Sequence, residues 1–343
     1  MTFVLPSSLS MSVALCTHNG SKFLAEQLLS ILAQRPSPIE IVLSDDASTD
    51  GTVELAISTV EDYRSDHPDV GTELVVLRNK AALGVIRNFE AAMLACRGDL
   101  IALSDQDDIW HDGRLAKAQA EFERQPELLL VHSDARLVDV DGAPIGHSLF
   151  DALEVTTVEK GLLAAGDGFP ILIRRNLVTG ATVVVRRTLV EDAAPFSQAW
   201  VHDEWLAIIG ASLGMVRLIP EQLIDYRQHG SNQIGAIKPT LRHKLTKLRE
   251  PREERNANLV ERAVVLEHKL AQFADRVPYS KLRGVRKKLA HERFRLSLPR
   301  VRLLRVIPVL GRALVGEYSR YGRGTIDVLR DLTQPADPDG WLG

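Results

Sequence analysis

Residues 100–110 read LIALSDQDDIW. An apolar run, Leu100-Ile101-Ala102-Leu103, leads straight into three carboxylates, Asp105, Asp107 and Asp108, within four positions. A short continuous apolar run with polar borders is the pattern of a fully buried strand. Like charges at its end repel one another, so the cluster is either a solvated turn or the seat of a cation. An isolated acidic D-x-D favours the turn, because Asp is a common turn residue. The apolar run before it and Ile109-Trp110 after it weigh against open solvent. Trp110 reads as a core anchor whose indole N–H needs a partner.

The same pattern recurs upstream. Residues 11–16 (MSVALC) form a buried strand that exits into Thr17-His18-Asn19-Gly20, and SKFLAEQLLSILAQ follows with helical spacing until Pro36 and Pro38. Residues 39–44 (IEIVLS) are a second strand with the polar exit DDASTDGT, in which Ser48 or Asp50 suits the cap of a helix beginning at Thr52. ELVVLRN is a third strand, residues 82–96 a helix, and DLIALS the fourth strand. Strands alternating with helices at this spacing imply βαβ units and an α/β fold: a mostly parallel sheet with helices on both faces. Ligands of such sheets sit beyond the C-terminal strand ends. Here those ends are Thr17-His18-Asn19, Asp45-Asp46 and Asp105-Gln106-Asp107-Asp108, which topology puts on one edge.

Further on, residues 128–132 (LLLVH) read as another strand, 181–190 (ATVVVRRTLV) as a β-rich run, and 201–214 as helical. The stretch 214–232 ends in an irregular polar segment, and from Thr240 the chain is helical, charged and punctuated by prolines. The expected organisation is a catalytic domain over 1–238 and a basic helical C-terminal extension over 239–343.

Of 343 residues, 45% are hydrophobic and 25% charged, enough apolar surface for a sizeable core. The net charge of −3 hides an asymmetry: residues 241–330 hold 23 Lys+Arg against 9 Asp+Glu, a balance of +14 that leaves −17 for the rest. Cys16 and Cys96 are too few for a disulfide framework and suit a reducing, cytoplasmic setting. The first residues lack a basic leader region, and no run of eighteen apolar residues offers a spanning helix. The basic tail mixes Lys and Arg with Leu, Val and Ile. Two readings stand: peripheral contact with the inner face of the cell membrane, or a packed extension with a solvated basic face. A nucleic-acid partner is not expected, because no binding motif accompanies the charge.

Taken in order, ALCTHNGSKFLAEQLLSILAQ, IVLSDDASTDGT, NKAALG (79–84) and GDLIALSDQDDIW resemble family 2 glycosyltransferases, which share the nucleotide-sugar-binding GT-A fold. The resemblance covers about residues 11–115. SDQDDIW, NLVTGAT (176–182) and YRQHGSN (226–232) further resemble a bacterial rhamnosyltransferase-like branch.

The resemblance implies roles. Thr17, His18 and Asn19 line the nucleotide pocket, and Asp45 or Asp46 contacts the base. Asp105, with Gln106 beside it, faces the ribose and nucleotide. Asp107 binds a divalent cation, Mg²⁺ or Mn²⁺, and Asp108 supports them. Hard cations take one or two carboxylates plus substrate phosphates, so the donor set suits the chemistry. Thr179-Gly180 matches the acceptor-side loop, where a glycine lets the backbone approach closely. Arg227 and His229 close over the diphosphate, with His229 either a further metal ligand or an ordinary loop histidine. In WVHDEWLAII the family's first acid is replaced by His202, Asp203 aligns with the catalytic base, and Glu204 is the fallback. Without the resemblance, Asp203 and Glu204 read simply as acids favoured at a helix N-terminus.

The implied activity is metal-dependent, inverting transfer of a sugar, rhamnose on the branch resemblance. The donor is of dTDP or UDP type, and the acceptor a surface polysaccharide or lipid-linked glycan. A nucleotidyltransferase is the rival enzyme reading, though THNGSKF is a poor basic phosphate loop. A non-catalytic nucleotide-sugar binder on the same fold is the other, kept open by His202.

Overall fold

The computed structural model describes residues 9–229 and 251–335. The chain divides into two compact units, one of Met1–Gly168 with Leu177–Ala236 and one of Phe169–Asn176 with Ile237–Gly343. Residues 169–176 thus group with the helical unit although they lie among the residues of the first.

The first unit is built on β1 (Met11–Thr17), β2 (Glu40–Asp45), β3 (Glu73–Arg78) and β4 (Leu100–Ser104), paired in parallel in the order β3-β2-β1-β4. β1, β2 and β4 are buried at every residue, which is why they read as nearly continuous apolar runs, interrupted by the buried pair Ser12 and Glu40. Helices α1 (Leu24–Leu32), α2 (Thr52–Asp66) and α3 (Val85–Ala95) link successive strands. Helix α1 buries Leu24, Leu28, Ile31 and Leu32, one stripe at i, i+4, i+7 and i+8. Burial of each such side chain stabilises by about 1.5–3 kcal/mol, so Leu28→Ala costs about 2–5 kcal/mol with its cavity.

The sheet continues through β5 (Ile109–Trp110), α4 (Arg114–Arg124), β6 (Leu128–Val138), β7 (Pro144–Ser148), α5 (Leu149–Ala152) and α6 (Thr157–Ala164). After α7 (Phe169–Leu172), which belongs to the second unit, come β8 (Val184–Arg186), α8 (Arg187–Ala193), α9 (His202–Leu213) and β9 (Met215–Arg227). The full strand order is β3-β2-β1-β4-β8-β6-β9-β5, with β7 on β6.

One expectation is corrected, and one stretch without an assigned element gains a strand. The β-rich run 181–190 supplies only three strand residues, because β8 is a short antiparallel splice between β4 and β6. The chain then turns helical, burying Leu189, Val190 and Ala193 on one face of α8. Residues 228–229 are irregular, but the stretch after residue 214, for which only an irregular polar end was expected, forms up to Arg227 the 13-residue strand β9. Its alternation is disguised by a bulge: pairing with β6 jumps from Ser133↔Ile219 to Asp134↔Gln222, and Pro220, Glu221 and Gln222 face outward there. A bulge is where a strand tolerates proline. Residues 230–232 of the YRQHGSN stretch lie outside the described residues.

In the second unit, α10 (Glu253–Ala271), α11 (Tyr279–Leu296), α12 (Val306–Leu314), α13 (Glu317–Tyr321) and α14 (Thr325–Thr333) join α7. Leu298, Val309 and Tyr318 form an apolar centre. Beside it lies a buried ionic network. Arg295 donates to Asp331 through Nε (2.8 Å) and Nη2 (3.1 Å), and its Nη1 reaches Glu292 at 3.1 Å and Asp327 at 3.3 Å. Tyr318 adds its hydroxyl to Asp331 at 2.7 Å. Part of the tail's positive charge is spent internally: Arg252, Arg295 and Arg305 are all buried. Among the described residues no helix is long and apolar enough to cross a membrane.

Candidate active site

Strand register brings the polar exits together. Thr17 stands opposite Asp45, and Leu15 opposite Ser104, the residue before Asp105. Thr17 Oγ1 donates to Asp45 Oδ1 at 2.9 Å, and Ser48 donates to the same carboxylate through both its N–H and its hydroxyl. Asp46 accepts from the N–H groups of Leu83 (2.6 Å) and Gly84 (3.0 Å), so it fixes the 79–84 loop. His18 Nδ1 donates to the Asp46 carbonyl at 2.7 Å, and Asn19, held at φ 49°, accepts from the Thr49 N–H through Oδ1 at 2.9 Å. Neither Ser48 nor Asp50 caps α2: its N-cap is Gly51, at φ 80°, while Asp50 just before it accepts from the Thr52 N–H at 3.1 Å and Ser48 serves Asp45.

Gln106 ties two of these exits. Its Oε1 accepts from the His18 N–H at 2.8 Å and its Nε2 donates to the His18 carbonyl at 3.2 Å, as a neighbouring strand would. A Cβ on Gly20 would lie 2.2 Å from Gln106 Oε1, so a larger residue there would displace the Gln106 amide from His18.

The acidic cluster is partly compensated from below. Burial first, then the charges of Asp107 and Asp203, push Asp105 up to about 7, with Arg114 opposing. Asp108 is raised well above the usual carboxylate range by burial and by Asp107 and Asp105. Arg114 is buried, donates to the Leu103 carbonyl and stacks 3.9 Å over the Trp110 ring. Burial lowers it to about 9, against the pull of Asp108 and Asp105. Trp110 is the core anchor expected, but its indole N–H has no hydrogen-bond partner among the described residues.

Two residues from the end of β9 close on the cluster. Arg227 donates its N–H to Asp108 Oδ1 (3.1 Å), Nε to the Asp107 carbonyl (2.9 Å), Nη1 to the Val140 carbonyl (3.0 Å) and Nη2 to Glu26 (2.6 Å). It is buried over the Phe23 ring, so here its guanidinium binds protein and braces the acidic loop. His229 stacks on Phe23 and places Nε2 2.6 Å from Asp107 Oδ2. The two expected metal ligands are thus brought into direct contact. Among the described residues no three His, Cys, Asp or Glu side chains converge as a ready-made cage. One carboxylate and one imidazole fit a cation that takes its remaining ligands from a diphosphate and water.

Asp203 lies at the start of α9, where Val201 is the N-cap. Its Oδ2 accepts from the Gly180 N–H at 2.8 Å, which joins the expected base to the expected acceptor-side loop. A Cβ on Gly180 would meet His202 Nε2 at 2.8 Å, so glycine is required. Burial and the adjacent Glu204 carboxylate push Asp203 up to about 7, despite hydrogen bonds from the N–H groups of Gly180 and Glu204. His202, in place of the family's first acid, is buried, stacks 4.1 Å from Phe89, and is lowered to about 3 by burial.

Residues 12–176 match the family model described as glycosyl transferase family 2. The chain carries a family 2 glycosyltransferase domain. An uncharacterised protein of Mycobacterium tuberculosis is 29% identical over 221 residues, 64% of this chain and 59% of that protein. The match therefore spans under two thirds of that relative's length. The dTDP-rhamnosyl transferase RfbG of Shigella flexneri is 26% identical over 231 residues, 65% of this chain and 74% of its own. Staphylococcus aureus TarS 1–349, solved with UDP-GlcNAc, aligns with TM-score 0.52 at 16% identity over 94% of this chain and 90% of its own. The mannosyltransferase PcManGT of Pyrobaculum calidifontis, solved with GDP-Man and Mn²⁺, aligns with TM-score 0.50 at 18% identity, covering 91% and 77% of the two chains. At these identities the two structures establish the GT-A fold of the family 2 domain.

Four side chains of this centre went unread in the sequence. Phe23 and Glu26 looked like ordinary positions of α1, and Arg114 an ordinary helix residue; only its place four after Trp110 hints at the stacking. Tyr226 was quoted within YRQHGSN without a role. It is buried, and its phenol is pushed up by burial and by Asp105, Asp108, Asp107 and Asp203.

Proposed function

We propose that the chain is a metal-dependent, inverting glycosyltransferase that moves a sugar from a nucleoside-diphosphate donor to a surface polysaccharide or lipid-linked glycan. Rhamnose from a dTDP donor is the preferred sugar, in line with the similarity to RfbG. UDP donors are the alternative, as TarS was solved with UDP-GlcNAc. A lipid-linked acceptor would put the enzyme at the inner face of the cell membrane.

The observation that carries the reading is Asp203. It is a buried carboxylate poised at about 7, oriented by Gly180, whose charge is felt by Asp105 of the acidic cluster. A general base works best with a pKa near the working pH. Asp203 takes the proton of the acceptor hydroxyl while that oxygen attacks the anomeric carbon. The new C–O bond forms as the bond to the diphosphate oxygen breaks, and the electron pair leaves with the nucleoside diphosphate. A single displacement inverts the anomeric centre and needs no covalent intermediate. Asp45, Asp105 and Thr17 position the nucleotide. Asp107 and His229 would hold the cation, which when bound neutralises charge on the leaving diphosphate. The Mn²⁺ in the PcManGT structure supports that assignment.

Calorimetry with a panel of dTDP-, UDP- and GDP-sugars, with Mg²⁺ or Mn²⁺, followed by product detection, tests the reading. Binding of none of them overturns it, and binding without transfer or donor hydrolysis supports a sugar-nucleotide binder instead.

A further inference from the structure

The second unit carries an exposed apolar stripe that its own core does not use. On α12, Val309 and Ala313 turn inward against Leu298, Tyr318 and their neighbours, with Val309 fully buried. Ile307, Leu310 and Leu314, at i, i+3 and i+7, lie on the opposite face. Ile307 is 84% exposed and Leu314 88%, and the preceding turn adds Leu303 at 82%. Leu304 and Val315 are exposed as well. Gly311, on the same face, looks into open space. Scattered exposed leucines are ordinary, but a contiguous set on one short element marks an interaction surface.

The stripe is held rigidly. Arg305, buried behind it, donates to the carbonyls of Pro299 (2.6 Å), Arg300 (2.7 Å), Asp331 (3.1 Å) and Gln334 (2.8 Å). That pins the entry to α12 against the end of α14, so the outward side chains sit on a fixed platform. Arg300 and Arg302, beside Leu303 in the chain, are exposed, as are Arg320 and Arg323 after α12. Glu317 is the one acid between residues 299 and 324, and it is paired with Arg312 at 2.7 Å.

We propose that residues 301–315 dock the chain on an anionic lipid surface, with α12 lying in the interface and the arginines at the headgroups. Apolar side chains flanked by cations are what such a surface binds. A nine-residue helix is far too short to span, so it lies in the plane. A second copy docked face to face would set one arginine rim against the other, whereas an anionic bilayer satisfies both features. The proposal deepens the lipid-linked acceptor reading but uses a surface distinct from the catalytic residues, so its failure leaves the transfer chemistry untouched.

The test is co-sedimentation of the full chain with phosphatidylcholine vesicles containing about one-third phosphatidylglycerol, against phosphatidylcholine alone. Wild type should bind the anionic vesicles. Ile307→Asp with Leu314→Asp should weaken binding at least roughly tenfold, and Arg302→Glu with Arg320→Glu by roughly fivefold or more per site, with unchanged melting curves. The altered side chains point to solvent, so the fold should survive. Failure of wild type to bind, or equal binding by the Asp variant, overturns the proposal. So does a lipid-free dimer that the Asp variant turns into a monomer, because a second copy then covers the stripe.

Discussion

The Gly180 N–H donates to Asp203 Oδ2 across 2.8 Å, linking a loop glycine to a carboxylate 23 residues later. One contact orients the proposed base and ties the expected acceptor-side loop to it. Replacing Asp203 with Asn keeps an acceptor for that N–H but removes the base. Transfer should fall by about 10²–10⁴ with donor affinity retained, read as kcat against calorimetric Kd. Full activity in Asp203→Asn would remove it from the mechanism.

The same burial makes a pH prediction. Asp203 is raised from 3.8 to about 7, so between those values the folded chain holds a proton that the unfolded chain has lost. The resulting stabilisation is complete below 3.8 and lost as pH rises through about 7. Asp203→Asn should therefore raise the Tm relative to wild type at about pH 8 and do so much less at about pH 5. Transfer should run the other way, rising as the pH passes about 7 and the base deprotonates. Equal Tm gains at both pH values would contradict the assignment.

Asp107 Oδ2 and His229 Nε2, the two proposed metal ligands, are in direct contact at 2.6 Å. Chelation should cut transfer at least roughly tenfold, with recovery on adding Mg²⁺ or Mn²⁺, and Asp107→Ala should show the same loss without recovery. Activity indifferent to both chelator and Asp107→Ala would defeat the metal role.

Gly20 and Gln106 are coupled by contact. Gly20→Ala forces its Cβ into Gln106 Oε1 and should cost about 1–3 kcal/mol in denaturant unfolding. Gly20→Ala with Gln106→Ala should be less destabilised than the sum of the single variants, because the second change removes the clash. Strict additivity would show that the two do not meet.

In the helical unit, Asp331→Ala leaves Arg295 short of its Nε and Nη2 partners in a buried setting. The expected loss is about 3–5 kcal/mol. Tyr318→Phe removes one hydrogen bond to the same carboxylate and should cost only about 1 kcal/mol more than the change in solvation. Similar losses from both would mean that the ion pair carries little.

The parallel half of the sheet and its acidic strand ends were legible in the bare chain. β1, β2 and β4 are buried on both faces, so their runs are nearly all apolar and end in polar residues. Gly20, Gly180 and Asp203 were visible as residues but not as contacts. The later strands were legible only in part: the start of β6 showed as a strand and β8 as a longer β-rich run, whose limits are set by its neighbours on either side, while the bulge in β9 hides its period. Nor could local pattern reveal that Arg227 braces Asp107 from 120 positions away, or that Arg114 supplies counter-charge beneath Asp105. Periodicity records which side of an element is buried. The protonation of a carboxylate, and the direction in which a guanidinium is spent, depend on groups that only chain folding brings within a few ångströms.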